Sequence, residues 1–327
     1  MSIKARRFLL LALLFSITAF SLYALTVGSS DIQSPWRFIF DRSLTGAGHE
    51  IIWDIRFPRV MAALLVGAAL GVAGALAQSA TNNPLADPSI IGTSAGAALG
   101  ATLAVVLNIA SIGTLGTTVA ATIGALVASL LTFALSRTAL QLVIVGIATS
   151  ALFTAVSGLL IAIADKPEAR SISFWSMGSL ALTQSNTLQL LAPLVITTSI
   201  VGWFYSQQMD LLVLGDREVS RLGFNPQRMR LIAFIFISIL IATSVSVVGS
   251  IAFLALAAPH ITRYLIGPTN RPLMIGSAVI GAGLLLVADT AARALVPPIE
   301  LPIGLITSLI GAPILILVLR KSGEVWR

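Results

Sequence analysis

The chain has no cysteine and only two histidines, His49 and His260, among 327 residues. Without thiols it can form no disulfide, hold no metal through thiolates and use no cysteine nucleophile. Charge is scarce too: Asp, Glu, Lys and Arg fill 10% of positions, against roughly 25% in a soluble domain. The pattern G-x-x-x-x-G-K-[ST] is missing, because Lys321-Ser322 has no glycines in the required places before it. The chain therefore has no P-loop with which to bind ATP.

Apolar residues, at 57%, fill the space. Runs long enough to cross a bilayer number about ten, near 8–27, 58–80, 90–108, 112–135, 140–164, 188–205, 230–249, 251–266, 274–295 and 303–320. The expectation is an all-α polytopic membrane protein with one transmembrane domain over 1–327. Lys4, Arg6 and Arg7 precede the first run as in a signal peptide. That run is ~20 residues long, however, whereas signal cores have ~7–15, so it reads as an uncleaved span. The eighth run is short and interrupted at Pro259. Residues 172–180 are too few to cross and read as a surface helix.

Basic residues between the spans set an orientation. With the N-terminus inside, Lys4, Arg6, Arg7, Arg137, Arg217, Arg221, Arg228, Arg230, Arg263, Arg271, Arg320, Lys321 and Arg327 are cytoplasmic. Arg37, Arg42, Arg56, Arg59, Lys166, Arg170 and Arg293 are external. The excess places both termini in the cytoplasm. Cations scattered over short connectors, despite a net charge of +7, argue against a nucleic-acid partner. In this topology the second span enters from outside and the seventh from inside. Spans 2–5 and 7–10 then fit an inverted repeat, although no residue-level repeat is visible.

Between two apolar runs lies Asn82-Asn83-Pro84-Leu85-Ala86-Asp87-Pro88. Broken backbone survives at membrane depth only where protein buries it or water reaches it, which suggests a path through the protein. Gly67 and Gly71, and Gly92, Gly96 and Gly100, have the four-residue spacing of close helix packing. Gly92-Thr93-Ser94-Ala95-Gly96 also matches G-x-S-x-G, but it sits at a span's start rather than on a strand-to-helix turn, and the two histidines, His49 and His260, are expected at opposite membrane faces. Gly146, Ser150, Thr154 and Ser157 share a helical face that either lines a passage or packs.

Asp289 is the one acid deep in a span, and Arg293, a turn away, makes it a structural pair before a proton relay. Energy must then enter elsewhere. The connector of about 207–230 contains Asp216-Arg217-Glu218-Val219-Ser220-Arg221-Leu222-Gly223, a short helix with acids in its first turn and glycine at its stop. Val219 and Leu222 offer an apolar face to a partner. Arg56, Arg59 and Arg293 share the opposite surface, either as headgroup anchors or as grips for an acidic partner.

Several motifs together resemble the FecCD-type permeases of bacterial ATP-binding-cassette importers for ferric siderophores, haem and cobalamin. They are Arg56-Phe57-Pro58-Arg59, Asn83-Pro84-Leu85-Ala86-Asp87-Pro88, Trp175-Ser176-Met177-Gly178-Ser179, Leu214-Gly215 through Leu222-Gly223, Ala258-Pro259-His260-Ile261-Thr262-Arg263, Ala288-Asp289, Arg293, Glu300-Leu301-Pro302-Ile303-Gly304 and Gly311-Ala312-Pro313. Val219, where relatives often have alanine, and Phe57, where leucine is usual, depart from the pattern.

The resemblance implies a non-enzymatic subunit in the bacterial inner membrane. Its partners would be a cytoplasmic ATPase dimer, a periplasmic binding protein and a second permease, either identical or a sister. It implies that this chain binds no cofactor, with ATP and Mg on the ATPase, and that the cargo is a ferric siderophore or a haem- or cobalamin-like chelate. Arg56, Arg59 and Arg293 would dock the binding protein, Asn83 and Leu85 would gate the cytoplasmic end, and Asp216–Gly223 would couple to the ATPase. Two other classes stay open: an ion-coupled secondary transporter using Asp289, and an intramembrane serine hydrolase using Ser94.

Overall fold

The computed structural model describes residues 3–322 except 29, 31, 113, 137, 165, 182 and 298, without the side chains of 90, 91, 139, 140, 166–169, 190 and 314–322. Arg137, Arg327 and the side chains of Lys166, Arg320 and Lys321 therefore lie outside the described residues. Among the described residues all regular structure is helical. In chain order the helices are α1 (Ile3–Thr26), α2 (Pro35–Phe40), α3 (Ala47–Glu50), α4 (Phe57–Ala80), α5 (Thr93–Val106), α6 (Leu115–Ala134), α7 (Ala139–Ile163), α8 (Lys166–Ser176), α9 (Ser185–Met209), α10 (Asp216–Arg221), α11 (Pro226–Val248), α12 (Leu254–Ile266), α13 (Asn270–Ala294) and α14 (Ile303–Ser322). Each of the ten expected spans has a helix. Seven of these are long and apolar enough to cross a membrane, and α5, α12 and the apolar stretch Ile303–Pro313 are shorter.

The centre is built from α4, α11 and α13, whose side chains are mostly buried, while α1 and α7 are mostly exposed. Lipid tails are as apolar as leucine, so helices associate here by close packing. A Cβ on Gly67 would overlap the Gly281 carbonyl oxygen, and a Cβ on Gly281 would overlap that of Gly67. Gly96 and Gly124 repeat this reciprocal contact between α5 and α6. At such approach each Cα–H meets a carbonyl oxygen, a contact of about 0.5–1 kcal/mol. Gly92 departs from the expected stripe: at φ 89 it is the N-cap of α5 and faces Thr149 of α7.

The packing pattern is mirrored. Helix α4 lies on α12 and α13, and α11 lies on α5 and α6; α5 pairs with α6 as α12 pairs with α13. The third and eighth spans correspond, and both are broken. Helix α5 has 14 residues behind the turn at 81–92, and α12 has 13 behind irregular 249–253. At 1.5 Å per residue each covers about 20 Å, less than a ~30 Å hydrocarbon core. The eighth span thus starts as helix at Leu254, not at 251. Pro259 removes the N–H that would meet the Ala255 carbonyl, and that oxygen is turned instead onto Gly74 of α4.

Helix α8 sits earlier than the expected 172–180. Gly178 takes φ 85 and ends it, and Met177 and Gly178 accept from Gly304 N and Ile303 N at the start of α14. Nor does it lie on the surface alone, since Ile172 and Trp175 are buried.

Candidate functional site

At one end of the bundle, a π-helical stretch Ile51–Arg56 runs straight into α4 and presents Arg56 and Arg59. Neither is an exposed anchor, as both are buried, with Arg293. Arg59 donates from Nε to Asp289 Oδ1 at 2.8 Å and from Nη1 to Glu300 Oε2 at 2.8 Å. Arg293 Nε lies 3.2 Å from Asp289 Oδ2, the expected one-turn pair. The α1 helix ends here with unpaired carbonyls, and cations complete it. Arg56 Nη1 donates to Leu25 O and Thr26 O at 3.0 and 2.9 Å, and Arg293 Nη1 to Val27 O at 2.8 Å.

The face of three arginines expected to be open to solvent is therefore an internal network joining α1, α4, α13 and the segment before α14. Their charges were legible in sequence; their depth was not. Glu300, the partly exposed acid of the network, had no assigned role. Its sequence signals are its place at the head of the Glu300-Leu301-Pro302-Ile303-Gly304 motif and its being a lone acid between Ile299 and Leu301. Asp289 is wholly buried and held by two guanidinium groups, an arrangement suited to holding helices together.

The opposite end carries the turn, the connector and the N-terminal cations, with Arg6 beside Gly267. Asn82 takes φ 49, Asn83 Oδ1 accepts from Leu85 N at 2.9 Å, and Asp87 Oδ1 accepts from Ser89 N at 2.8 Å. These side-chain bonds replace the helix ladder and hold Leu85 out as an exposed apolar tip.

The expected hydroxyl stripe divides. Ser150 Oγ reaches Ser89 O at 3.4 Å, Ser157 is buried, and Thr154 is exposed. Thr93 Oγ1, beside Ser94, lies 3.1 Å from Ser129 Oγ, and the G-x-S-x-G residues begin a helix without the strand a hydrolase elbow needs.

Helix α10 forms at the expected place and stops at Gly223, φ 85. Its faces differ from expectation. Val219 is 0% exposed and belongs to the core with Leu212 and Met229, whereas Leu222 is 56% exposed. The face left for a partner is Leu222 with Leu214 and Phe224, both also exposed. Asp216 accepts from Arg230 through both oxygens, at 2.7 and 2.9 Å. This pairing spans 14 residues and had no sequence signal. The Arg230 guanidinium holds the Asp216 carboxyl below its usual 3.8 by hydrogen bonding and, after a smaller opposing effect of burial, by charge.

A helical bundle with two mirrored broken helices has the plan of a membrane transport protein. The sequence model of the FecCD transport family matches residues 11–321, and the chain belongs to that family. It is a permease subunit of an ABC importer and not an enzyme, which removes the hydrolase reading. The hemin transport system permease HmuU of Yersinia pestis is 39% identical over 83% of this chain and 84% of its own length. The iron(3+)-hydroxamate import permease FhuB of Bacillus subtilis is 34% identical over 82% and 71%. A solved metal-chelate-type ABC transporter in an inward-facing conformation has a TM-score of 0.87 at 30% identity, covering 96% of this chain and 99% of its own. PsaBC of Streptococcus pneumoniae, at 16% identity and TM-score 0.60, shares the fold.

Proposed function

We propose that this chain carries a ferric siderophore from periplasm to cytoplasm across the bacterial inner membrane, as one of two permeases above a cytoplasmic ATPase dimer. In this reading the α10 end and both termini are cytoplasmic. ATP and Mg bind the ATPase, and this chain holds no cofactor. The observation that carries the reading is α10: a helix too short to persist alone, seated by buried Val219, with an apolar surface facing outward. The ATPase would cover Leu214, Leu222 and Phe224.

Asn83 and Leu85 are the cytoplasmic gate, and Thr154 faces the passage with the half-buried Ser150. A binding protein docks at the Arg59 end. Because Arg56, Arg59 and Arg293 hold acceptors of this chain, a docking carboxylate would gain Arg59 by exchange with Glu300. Haem is the second reading for the cargo, favoured by the 39% identity to a hemin permease.

The test is uptake into vesicles containing permease, ATPase and binding protein, with ferric hydroxamate, haem and cobalamin offered separately. ATP-dependent accumulation of the ferric siderophore is expected. Accumulation of haem alone establishes the second reading, and accumulation of none of the three contradicts the proposed cargo class.

A further inference from the structure

Arg230 stands four residues into α11 from Pro226, and its guanidinium is used on two sides. Both terminal nitrogens grip Asp216 at the start of α10. Nε donates at 3.1 Å to Ala80 O, in the last turn of α4. Ala80 is the final residue of α4, and two residues on comes Asn82, whose left-handed φ turns the chain into the Asn83–Leu85 segment. The Arg230 side chain is 12% exposed, and Asp216 is 59% exposed. A cavity of about 310 Å³ beside it is lined by Phe133, Ser136, Thr138 and Leu142 of the α6–α7 junction. One planar cation thus joins α10, α11 and the end of α4, beside this cavity.

We propose that Arg230 is a positioning residue that transmits displacement of α10 to the Asn83–Leu85 turn. The proposal rests on the reading of α10 as the ATPase contact and of the turn as a gate. The physical argument is stiffness. A guanidinium fork in bidentate contact with a carboxylate fixes angle as well as distance, and its third donor lies in the same plane. The acceptor on α4 is one of the last carbonyls of a helix, where partial negative charge gathers and no backbone partner is available. A shift of α10 therefore pulls on the end of α4 without passing through flexible chain. Two residues join α4 to the turn by peptide bonds, whereas 135 positions separate Ala80 from Gly215 along the sequence. Lysine in place of Arg230 keeps the charge but supplies one point donor group, which cannot hold both contacts in one plane.

The test uses the assembled permease–ATPase complex with Leu85→Cys as reporter, since the chain has no other cysteine. In the parental background, thiol labelling at position 85 is expected to differ between nucleotide-free and ATP-locked states. In complexes of Arg230→Lys and Asp216→Asn that retain the ATPase, the labelling difference should disappear and import per ATP hydrolysed should fall by about tenfold. Asp216→Asn changes a surface-exposed group and serves as the folded counterpart should Arg230→Lys fail to accumulate.

If both variants, or Asp216→Asn alone where the other is not produced, keep the labelling difference and the parental import per ATP, the proposal is overturned. Leu222→Asp separates it from the reading on which it rests. ATPase binding and import untouched by that change would remove the α10 contact itself. Loss of ATPase binding in Leu222→Asp, with import per ATP hydrolysed reduced in the complexes of Asp216→Asn that retain the ATPase, supports both.

Discussion

Arg59 and Asp289, 230 residues apart in sequence, meet through a 2.8 Å hydrogen bond in a place from which solvent is nearly excluded. The contact draws α4 and α13 together at one end, and the Gly67–Gly281 crossing closes them further along. Removing one member of such a buried pair leaves an uncompensated charge, at a cost of about 3–5 kcal/mol. Arg59→Ala and Asp289→Asn should therefore lower the thermal midpoint in detergent strongly. Glu300→Gln, at the wetter edge, should cost no more than about 1 kcal/mol. Equal midpoints for all three would show that the network does not hold this end together. Arg59→Glu should likewise damage folding as well as docking.

The glycine crossing makes a second prediction. Gly281→Val places a branched side chain against the Gly67 carbonyl, with backbone on both sides and nothing flexible to yield. Overpacking of this kind costs typically ~1–3 kcal/mol, and more where backbones must separate. Gly158→Ala, on α7 with nothing within 4 Å of the added Cβ, should be neutral or stabilising. Size-exclusion recovery after heating distinguishes the two, and similar recovery would contradict the packing argument.

Within the connector, Val219→Asp and Leu222→Asp should fail differently. The first puts a charge into the core and should unseat α10 from its own chain. The second leaves α10 folded and spoils only an exposed apolar contact. Hydrogen exchange over 216–221 should rise in Val219→Asp alone, while ATPase co-purification falls in both.

The Asp216–Arg230 tie has a defined pH response. The folded pKa of Asp216 lies below 3.8, so the tie contributes fully above that value and is lost as pH falls through the lower, folded one. Protection of the α10 amides should stay constant between pH ~5 and 8 and weaken in ~1 M salt, which shortens screening to ~3 Å. A loss of protection between pH 8 and 5 would mean that another group holds the helix.

Much of this architecture was legible because each span is a run of one polarity, and runs survive any tertiary arrangement. The helix ends at Ala80, Ile163 and Ala294 fall within a residue of the expected boundaries. The depth of Arg56, Arg59 and Arg293 was not legible. An arginine beside a span reads as exposed unless its partners are known, and Asp289 and Glu300 come to Arg59 only through folding. Val219 and Leu222 were assigned one face by their spacing. In a six-residue helix, however, the chain returning at Phe224, whose N–H donates to Val219 O, decides which side is covered. The end of α8 was misplaced because Gly178, at φ 85, follows the helix stop at Ser176 and turns the chain before Leu180.

The measurement that bears most directly on the whole account is uptake in vesicles that hold the permease with its ATPase, supplied with loaded binding protein. Accumulation of ferric siderophore should require ATP and Mg on the ATPase side and should be indifferent to an imposed proton or sodium gradient. Accumulation driven by such a gradient without the ATPase, and abolished by Asp289→Asn in protein that still folds, would contradict it.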